Sequence, residues 1–381
     1  MYIYEHSEWP HVTWDSALLL KPLSKTVFLQ AQLLGRMKSL GFTLQKESSW
    51  YVVAQNIIKS SEIEGEHLSW ELVRSSVARK LNIHYEASLP SSHHVDGVVE
   101  MAFNASEHYD EPLTFDRLFR WHAALFPTGY SGLRKITVGN LRSDLEGPMQ
   151  VVSQRSGPNE MIYFHAPPAA NLRAELTAFL EWFNGEDSRT PPLLRAAIAH
   201  LWFITLHPFE DGNGRIARNI TDMALSRADQ SSFRFYSMSD QIQKQKNEYY
   251  DILERTQKGS LDITAWISWF LECLTNALGN SQQLVSSVLR KAHFWQEATH
   301  TSLNENQQKM LTLFLDDFQG NLMSSKWARI CKVSQDTAIR ELRDLDSTRT
   351  RAFNPLCLFN RQHSSLVSNV ARSFLIGCST N

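Results

Sequence analysis

Apolar residues recur at helical spacing along most of the chain. They do so over residues 17–40, with an interruption near Pro22, and over 46–81, where Gly65 is the one break. An N-terminal helical module is the expectation. Residues 114–126 predict a further helix, with Thr114 placed to cap its start and Pro127 and Gly129 to end it. The period then changes. Over 149–165 two β-prone runs, MQVVS and MIYFH, flank the turn formers Ser156, Gly157, Pro158 and Asn159, which is the pattern of a β-hairpin. Helical spacing resumes over 171–183, 193–206, 213–227, 241–257 and 261–292. Beyond Ser302 a helix over 305–318, a short one over 324–330, a turn at 331–334 and an amphipathic helix ending at Leu345 give a helix-turn-helix layout.

The pattern predicts a mainly α protein: a helical bundle with one β-hairpin, in three regions. These are an N-terminal helical module over 1–108, a central domain over 109–295 and a C-terminal helix-turn-helix domain over 296–381. A chain of 381 residues exceeds one compact core, which agrees with several units. Its 43% hydrophobic and 20% charged residues leave no room for extended disorder or a coiled-coil rod. The net charge of -2 steers the whole chain neither to nucleic acid nor to an anionic membrane. The four cysteines, Cys273, Cys331, Cys357 and Cys378, form no CxxC pair, so reduced thiols are expected. MYIYEHSEWPHVTWD shows no charged and then apolar leader, and the longest apolar runs, such as 201–206, fall far short of a bilayer. No membrane association and a cytoplasmic location are therefore expected.

The stretch that carries chemistry is LHPFEDGNGRIAR, residues 206–218. An apolar helix runs into His207, Pro208 ends it, and Gly212, Asn213 and Gly214 make a tight turn into a new helix. Backbone N–H groups of that turn, with a helix dipole behind them, form a cradle for phosphate oxygens. Arg215 and Arg218, three apart on one helix face, are placed to hold a polyphosphate through charge-assisted forks. Asp211 offers a hard carboxylate of the kind Mg²⁺ takes. His207 at the rim is the candidate to accept a proton from an incoming hydroxyl. Packing alone does not explain these groups within a dozen residues, because burying them unpaired is costly.

HPFEDGNGRIAR matches the pattern HxFx(D/E)GNGRxxR, and the chain thereby resembles the Fic (Fido) family, whose members transfer AMP from ATP to a protein hydroxyl. The resemblance implies that His207 is the general base, that Phe209 anchors the loop, and that Asp211 binds Mg²⁺. It also implies that Gly212, Asn213 and Gly214 form the anion hole while Arg215 and Arg218 orient the phosphates of ATP. Doc-like relatives, which phosphorylate, carry lysine where this chain has Gly214, so adenylylation of a Ser, Thr or Tyr hydroxyl is the expected reaction.

Upstream, IIKSSEIEGEHL fits the family's inhibitory pattern (S/T)xxxE(G/N) with Ser60, Glu64 and Gly65. That implies a Glu64–Arg218 pair which blocks the productive γ-phosphate position. The 149–165 hairpin resembles the Fic flap, on which an extended segment of the target protein docks by strand addition. Val152 and Ser153 are its expected nucleotide contacts. Tyr249 and Tyr250 are expected to flank adenine, with Gln257 on the same helix face. The opening with Trp9, Pro10 and Trp14 extends the resemblance over nearly the first 290 residues.

The C-terminal layout resembles a winged-helix tail found in such proteins: 324–345 gives a first helix, a turn and a candidate recognition helix that carries Gln335, Arg340 and Arg343. Lys326, Arg329 and Lys332 add positive charge that Asp336, Glu341 and Asp344 offset. DNA binding and a protein contact, including a homodimer, both stand as readings of this tail. After Leu345 the chain departs from the pattern: DSTRTRAFNPLCLFNRQHSS shows neither the glycine turn nor the apolar strand of a wing. Two further readings stay open for the whole chain: a DNA-binding regulator whose Fic-like core senses nucleotide, and removal of AMP by a water that Glu64 activates.

Overall fold

The computed structural model describes residues 1–39, 42–83, 89–145, 147–152, 162–186, 189–298, 302–315 and 323–347. Among these, the order is α1 (Ser16–Lys38), α2 (Phe42–Ile63), α3 (Trp70–Lys80), α4 (His93–Glu107), α5 (Phe115–Leu125), β1 (Tyr130–Ser131), β2 (Arg134–Lys135), β3 (Gln150–Val152), β4 (Ile162–His165), α6 (Leu172–Asn184) and α7 (Pro192–Leu206). It continues with α8 (Asn213–Asp229), α9 (Met238–Lys244), α10 (Lys246–Gln257), α11 (Thr264–Ala298), α12 (Glu305–Leu315), α13 (Ser324–Cys331) and α14 (Gln335–Ser347). The mainly α expectation holds. No described helix is long and apolar enough to cross a membrane.

Several sequence expectations need correction. Pro22 does not interrupt its helix: α1 runs through it from the Asp15 cap, whose carboxylate accepts from the N–H groups of Ala17 and Leu18. The Pro22 carbonyl in turn accepts from the Thr26 hydroxyl at 2.8 Å. The pattern over 46–81 is two helices, parted at Gly65, whose φ of +81° lies in the left-handed region open to glycine. The pattern over 241–257 is likewise two, α9 and α10. The hairpin β3–β4 is present, antiparallel with Gln150 opposite His165 and a register shift after Val151. It is not the one sheet element, because β1 and β2 form a second small hairpin. Strands of two residues, Tyr-Ser and Arg-Lys, are too short to carry a period-two pattern.

The described chain divides into two compact units, residues 1–285 and 286–381. In the first, α7 and α8 pack against each other at the centre and are buried almost all round, as helices of a large core are. One hydrophobic core runs from Ile3 through Leu33, Ile57, Val77, Phe203 and Ile220 to Leu278. The N-terminal helices over 1–108 therefore have no core separate from that of the helices that follow. In the second unit the Trp327 indole is fully buried among Met310, Ala338 and Leu345 and donates to Glu341 at 2.7 Å. Glu341 is thus an interior hydrogen-bond acceptor rather than a surface charge offsetting the tail's lysines and arginines. Residues 348–381, the stretch in which a wing would fall, lie outside the described residues, as do Cys357 and Cys378. Among those described, Cys273 and Cys331 are free thiols.

Candidate functional site

The motif loop is shaped by what ends α7 and begins α8. His207 caps α7 in the left-handed region, φ 48°, a conformation that costs energy in a residue with a Cβ and that the loop must enforce. Asn213 closes the loop: its side-chain oxygen accepts from the Phe209 N–H at 2.9 Å and its amide donates to the Phe209 carbonyl at 2.8 Å. The Asn213 side chain is consumed there, so it offers an anion only its backbone. Phe209 is fully buried and stacks on His122, ring centroids 4.3 Å apart at 11°, which bears out its anchoring position. Gly212 precedes α8 at φ 79°, and a Cβ there would press on the Phe126 and Leu125 side chains. No side chain caps α8, so none of its first-turn N–H groups is taken by a cap.

His207 is half-buried, and its Nδ1 lies 3.3 Å from the Ile204 carbonyl. Donating that proton leaves Nε2 as the free acceptor. Burial pushes the imidazole down to about 4; the Ile204 carbonyl works against it, the Arg142 charge adds to it, and Glu64 and Asp211 raise the value slightly. The ring is neutral at physiological pH.

Both motif arginines are buried and both meet carboxylates. Arg218 donates from Nη2 to Glu64 at 2.7 Å and to the Ser60 carbonyl at 2.9 Å, and from Nε to the Ser60 hydroxyl at 2.9 Å. Ser60, Glu64 and Arg218 are therefore brought together as the resemblance implied. Burial opposes the Arg218 charge, but Glu64 overcomes it and holds the guanidinium above its ordinary pKa. A Cβ on residue 214 would overlap the Glu64 carboxylate where it now sits. Arg215 donates to Glu66 at 2.5 Å and lies over the Phe126 ring. Glu66 also meets His94 Nε2 at 2.5 Å. Arg218 Nη1 and Arg215 Nε are buried with no partner, which leaves donors over for a bound anion.

Asp211 turns one oxygen to the Gly212 N–H at 2.5 Å and the other to the Ser131 hydroxyl. Among the described residues no cluster of three metal-ligating side chains exists. A single carboxylate beside an anion cradle nevertheless fits Mg²⁺, which keeps its remaining sites for water and phosphate.

The remaining candidates differ in placement, Tyr249 and Tyr250 lying beside Arg218 and Glu64. Val152 pairs with Ile162 across the hairpin, and Ser153 lies outside the described residues. Tyr249 is a core residue: its ring is buried and its hydroxyl meets His200 Nε2 at 2.8 Å, so it does not stand free to flank a base. Gln257 is also interior, donating to Thr205 at 3.2 Å. Tyr250 alone of the three is exposed, and its hydroxyl donates to the Ile63 carbonyl at the end of α2. Sequence reasoning missed Glu66, His94, Ser131, His122 and Arg142. All lie far from the motif in sequence; Glu66 directly follows the Ser60–Gly65 pattern, and the other four belong to no recognisable pattern.

Residues 112–225 match the profile of the Fic/DOC family. This chain carries a Fic domain. Residues 2–83 match a second profile, described as a domain of unknown function (DUF4172). A Drosophila yakuba protein named protein adenylyltransferase Fic is 33% identical to the chain over 116 residues, 30% of this chain and 22% of that protein. A Nematostella vectensis protein of the same name is 24% identical over 223 residues, 58% and 46% of the two chains. The matches thus span less than half the length of either relative. The crystal structure of a Fic domain containing signaling protein from Bacteroides thetaiotaomicron superposes with a TM-score of 0.51 at 20% identity, covering 68% of this chain and 97% of that one. At that identity the likeness bears on the fold, and it agrees with the helical bundle around α7 and α8.

Proposed function

We propose that this Fic-domain protein transfers AMP from ATP to a hydroxyl of a target protein and is held at low activity by Glu64. One observation supports this best: a neutral imidazole with its Nε2 lone pair free stands at the rim of an uncapped helix N-terminus that carries two buried arginines. The target hydroxyl would lose its proton to His207 Nε2 as its oxygen bonds to the α-phosphorus. The bond from that phosphorus to the bridging oxygen breaks, and pyrophosphate leaves. The N–H groups of Asn213 and Gly214 would meet the charge that develops on the phosphoryl oxygens, that of Gly212 being engaged by Asp211. Anionic phosphates beside His207 would raise its pKa, improving a base that burial alone leaves weak. Asp211 would hold Mg²⁺, which on binding neutralises phosphate charge. An extended target segment would dock on β3–β4, adding a strand to the hairpin edge.

Glu64 would keep Arg218 from the γ-phosphate. ATP labelled at the α-phosphorus should mark protein with the Glu64→Gly variant, weakly with the wild type, and not with His207→Ala. Label from the γ-phosphorus instead would replace the reading with phosphoryl transfer. Release of AMP from modified target without added ATP would favour the reverse activity.

A second reading concerns the C-terminal unit, where Gln335, Arg340 and Arg343 are all exposed on α14. That face suits phosphate contacts along a duplex. A gel shift with duplex DNA that weakens steeply with salt would support it, and a salt-insensitive or absent shift would leave protein contact as the role of the tail.

A further inference from the structure

Arg142 lies between β2 and β3 in a stretch without regular structure, yet its side chain has no exposed surface. Each end of the guanidinium is used. Nε donates to the His207 carbonyl at 2.7 Å, Nη2 to the Pro167 carbonyl at 2.6 Å and Nη1 to Asp144 at 2.9 Å. The backbone N–H of the same residue donates to the Pro208 carbonyl at 2.9 Å. The second Asp144 oxygen accepts from the Ala169 N–H at 2.6 Å. Pro167 and Ala169 follow directly on β4, the returning strand of the flap hairpin. One buried group therefore ties the first turn of the motif loop to the chain leaving the flap.

Burying a charge is costly unless every donor is met, and here the partners are two main-chain carbonyls and a carboxylate. An apolar side chain would fill the volume without that cost, but it would leave the His207 and Pro167 carbonyls without these donors. His207 has a left-handed backbone that something must over-determine, and Arg142 grips two successive carbonyls, of His207 through its side chain and of Pro208 through its backbone N–H.

We propose that Arg142 is a positioning residue that holds His207 in its left-handed conformation and sets the imidazole against the flap, with Asp144 completing the clamp. Lysine keeps the charge but has no planar fork to reach three acceptors, so Arg142→Lys tests geometry with charge retained. Asp144→Asn loosens the clamp from the other side.

The kinetic part of the inference rests on the AMP-transfer reading, and the structural part does not. In the Glu64→Gly background, both variants should lower kcat about 10- to 100-fold while leaving the KM for ATP within about twofold. Amide hydrogen exchange should quicken together in residues 207–212 and 162–169. Unchanged kcat and exchange would overturn the proposal, as would equal losses of kcat and ATP affinity with a fall in Tm, the mark of a purely structural role. If the Glu64→Gly parent transfers no AMP, the functional reading fails and the paired exchange result alone decides the clamp.

Discussion

The Glu64 carboxylate occupies the space that a side chain on Gly214 would enter, while it pairs with Arg218 at 2.7 Å. The absence of a Cβ in the motif and the presence of an acid on α2's trailing turn are one packing solution. Gly214 has an ordinary backbone conformation, so any cost of adding a methyl group arises from its neighbours, the Glu64 carboxylate first and Arg218 Nη1 second, and not from φ.

Gly214→Ala should therefore destabilise the protein by about 1–3 kcal/mol through overpacking. In the Glu64→Gly background the same substitution should cost less than about 1 kcal/mol. Denaturant unfolding of the four proteins in a double-mutant cycle measures the coupling. Equal costs in both backgrounds would show that Glu64 is not what the methyl group meets.

Glu66 places a second carboxylate on the motif, against Arg215. Burial works to raise its carboxyl pKa, but the His94 hydrogen bond and the Arg215 and His94 charges overcome this and hold it below the ordinary glutamate value. The sign follows: its contribution to stability is fully present above about pH 4.3 and is lost as pH falls through the lower folded-state value. Glu66→Gln should thus destabilise at pH 7 and lose that effect in acid. With Arg215 released, ATP should bind a few-fold, about 2–10-fold, more tightly by calorimetry. Unchanged affinity would limit Glu66 to a structural role.

Three histidines, His122 and His200 buried and His207 half-buried, make the fold sensitive to mild acid. Burial pushes His122 and His207 down to about 4 and His200 down to about 3. Unfolding lets each bind a proton below about pH 6.5, so stability falls with pH between about 6.5 and 4, by up to about 1.4 kcal/mol per pH unit for each group. Tm should drop steadily from pH 7 to 5. His122→Gln, whose parent ring accepts from Gly139 N–H at 3.0 Å and donates to the Asp211 carbonyl at 3.2 Å, should show a shallower slope. A Tm that stays flat over this range would contradict the neutral, buried state of these rings.

The same depressed value sets the pH dependence of the proposed reaction. For Glu64→Gly, kcat/KM should keep its plateau through pH 6.5 and lose its base-dependent limb only below about pH 5, because the free enzyme carries a neutral His207 down to about 4. An acid limb centred near 6.5 that His207→Ala removes would show an imidazole more open to solvent than the structure has it.

The chain itself specifies much of this. Apolar spacing marks α7 and α8, Thr114 caps α5 by accepting from the Arg117 N–H, and the thirteen residues from Leu206 hold together because a turn, a helix start and two arginines are neighbours in sequence. Local patterns of that kind survive as text. The β1–β2 hairpin does not, because two residues per strand hold no period. Tyr249 and Gln257 carry the same helical spacing whether a core or a nucleotide lies opposite, and only the packing of α10 against the buried His200 and Thr205 decides for the core. Partner choice across long stretches of chain was likewise left to tertiary structure: Glu66 on Arg215, His122 under Phe209, Ser131 on Asp211, and Arg142 beneath His207. A charged or polar residue alone does not announce its partner, since hydrogen bonds of such reach form only when the fold brings both groups out of water together.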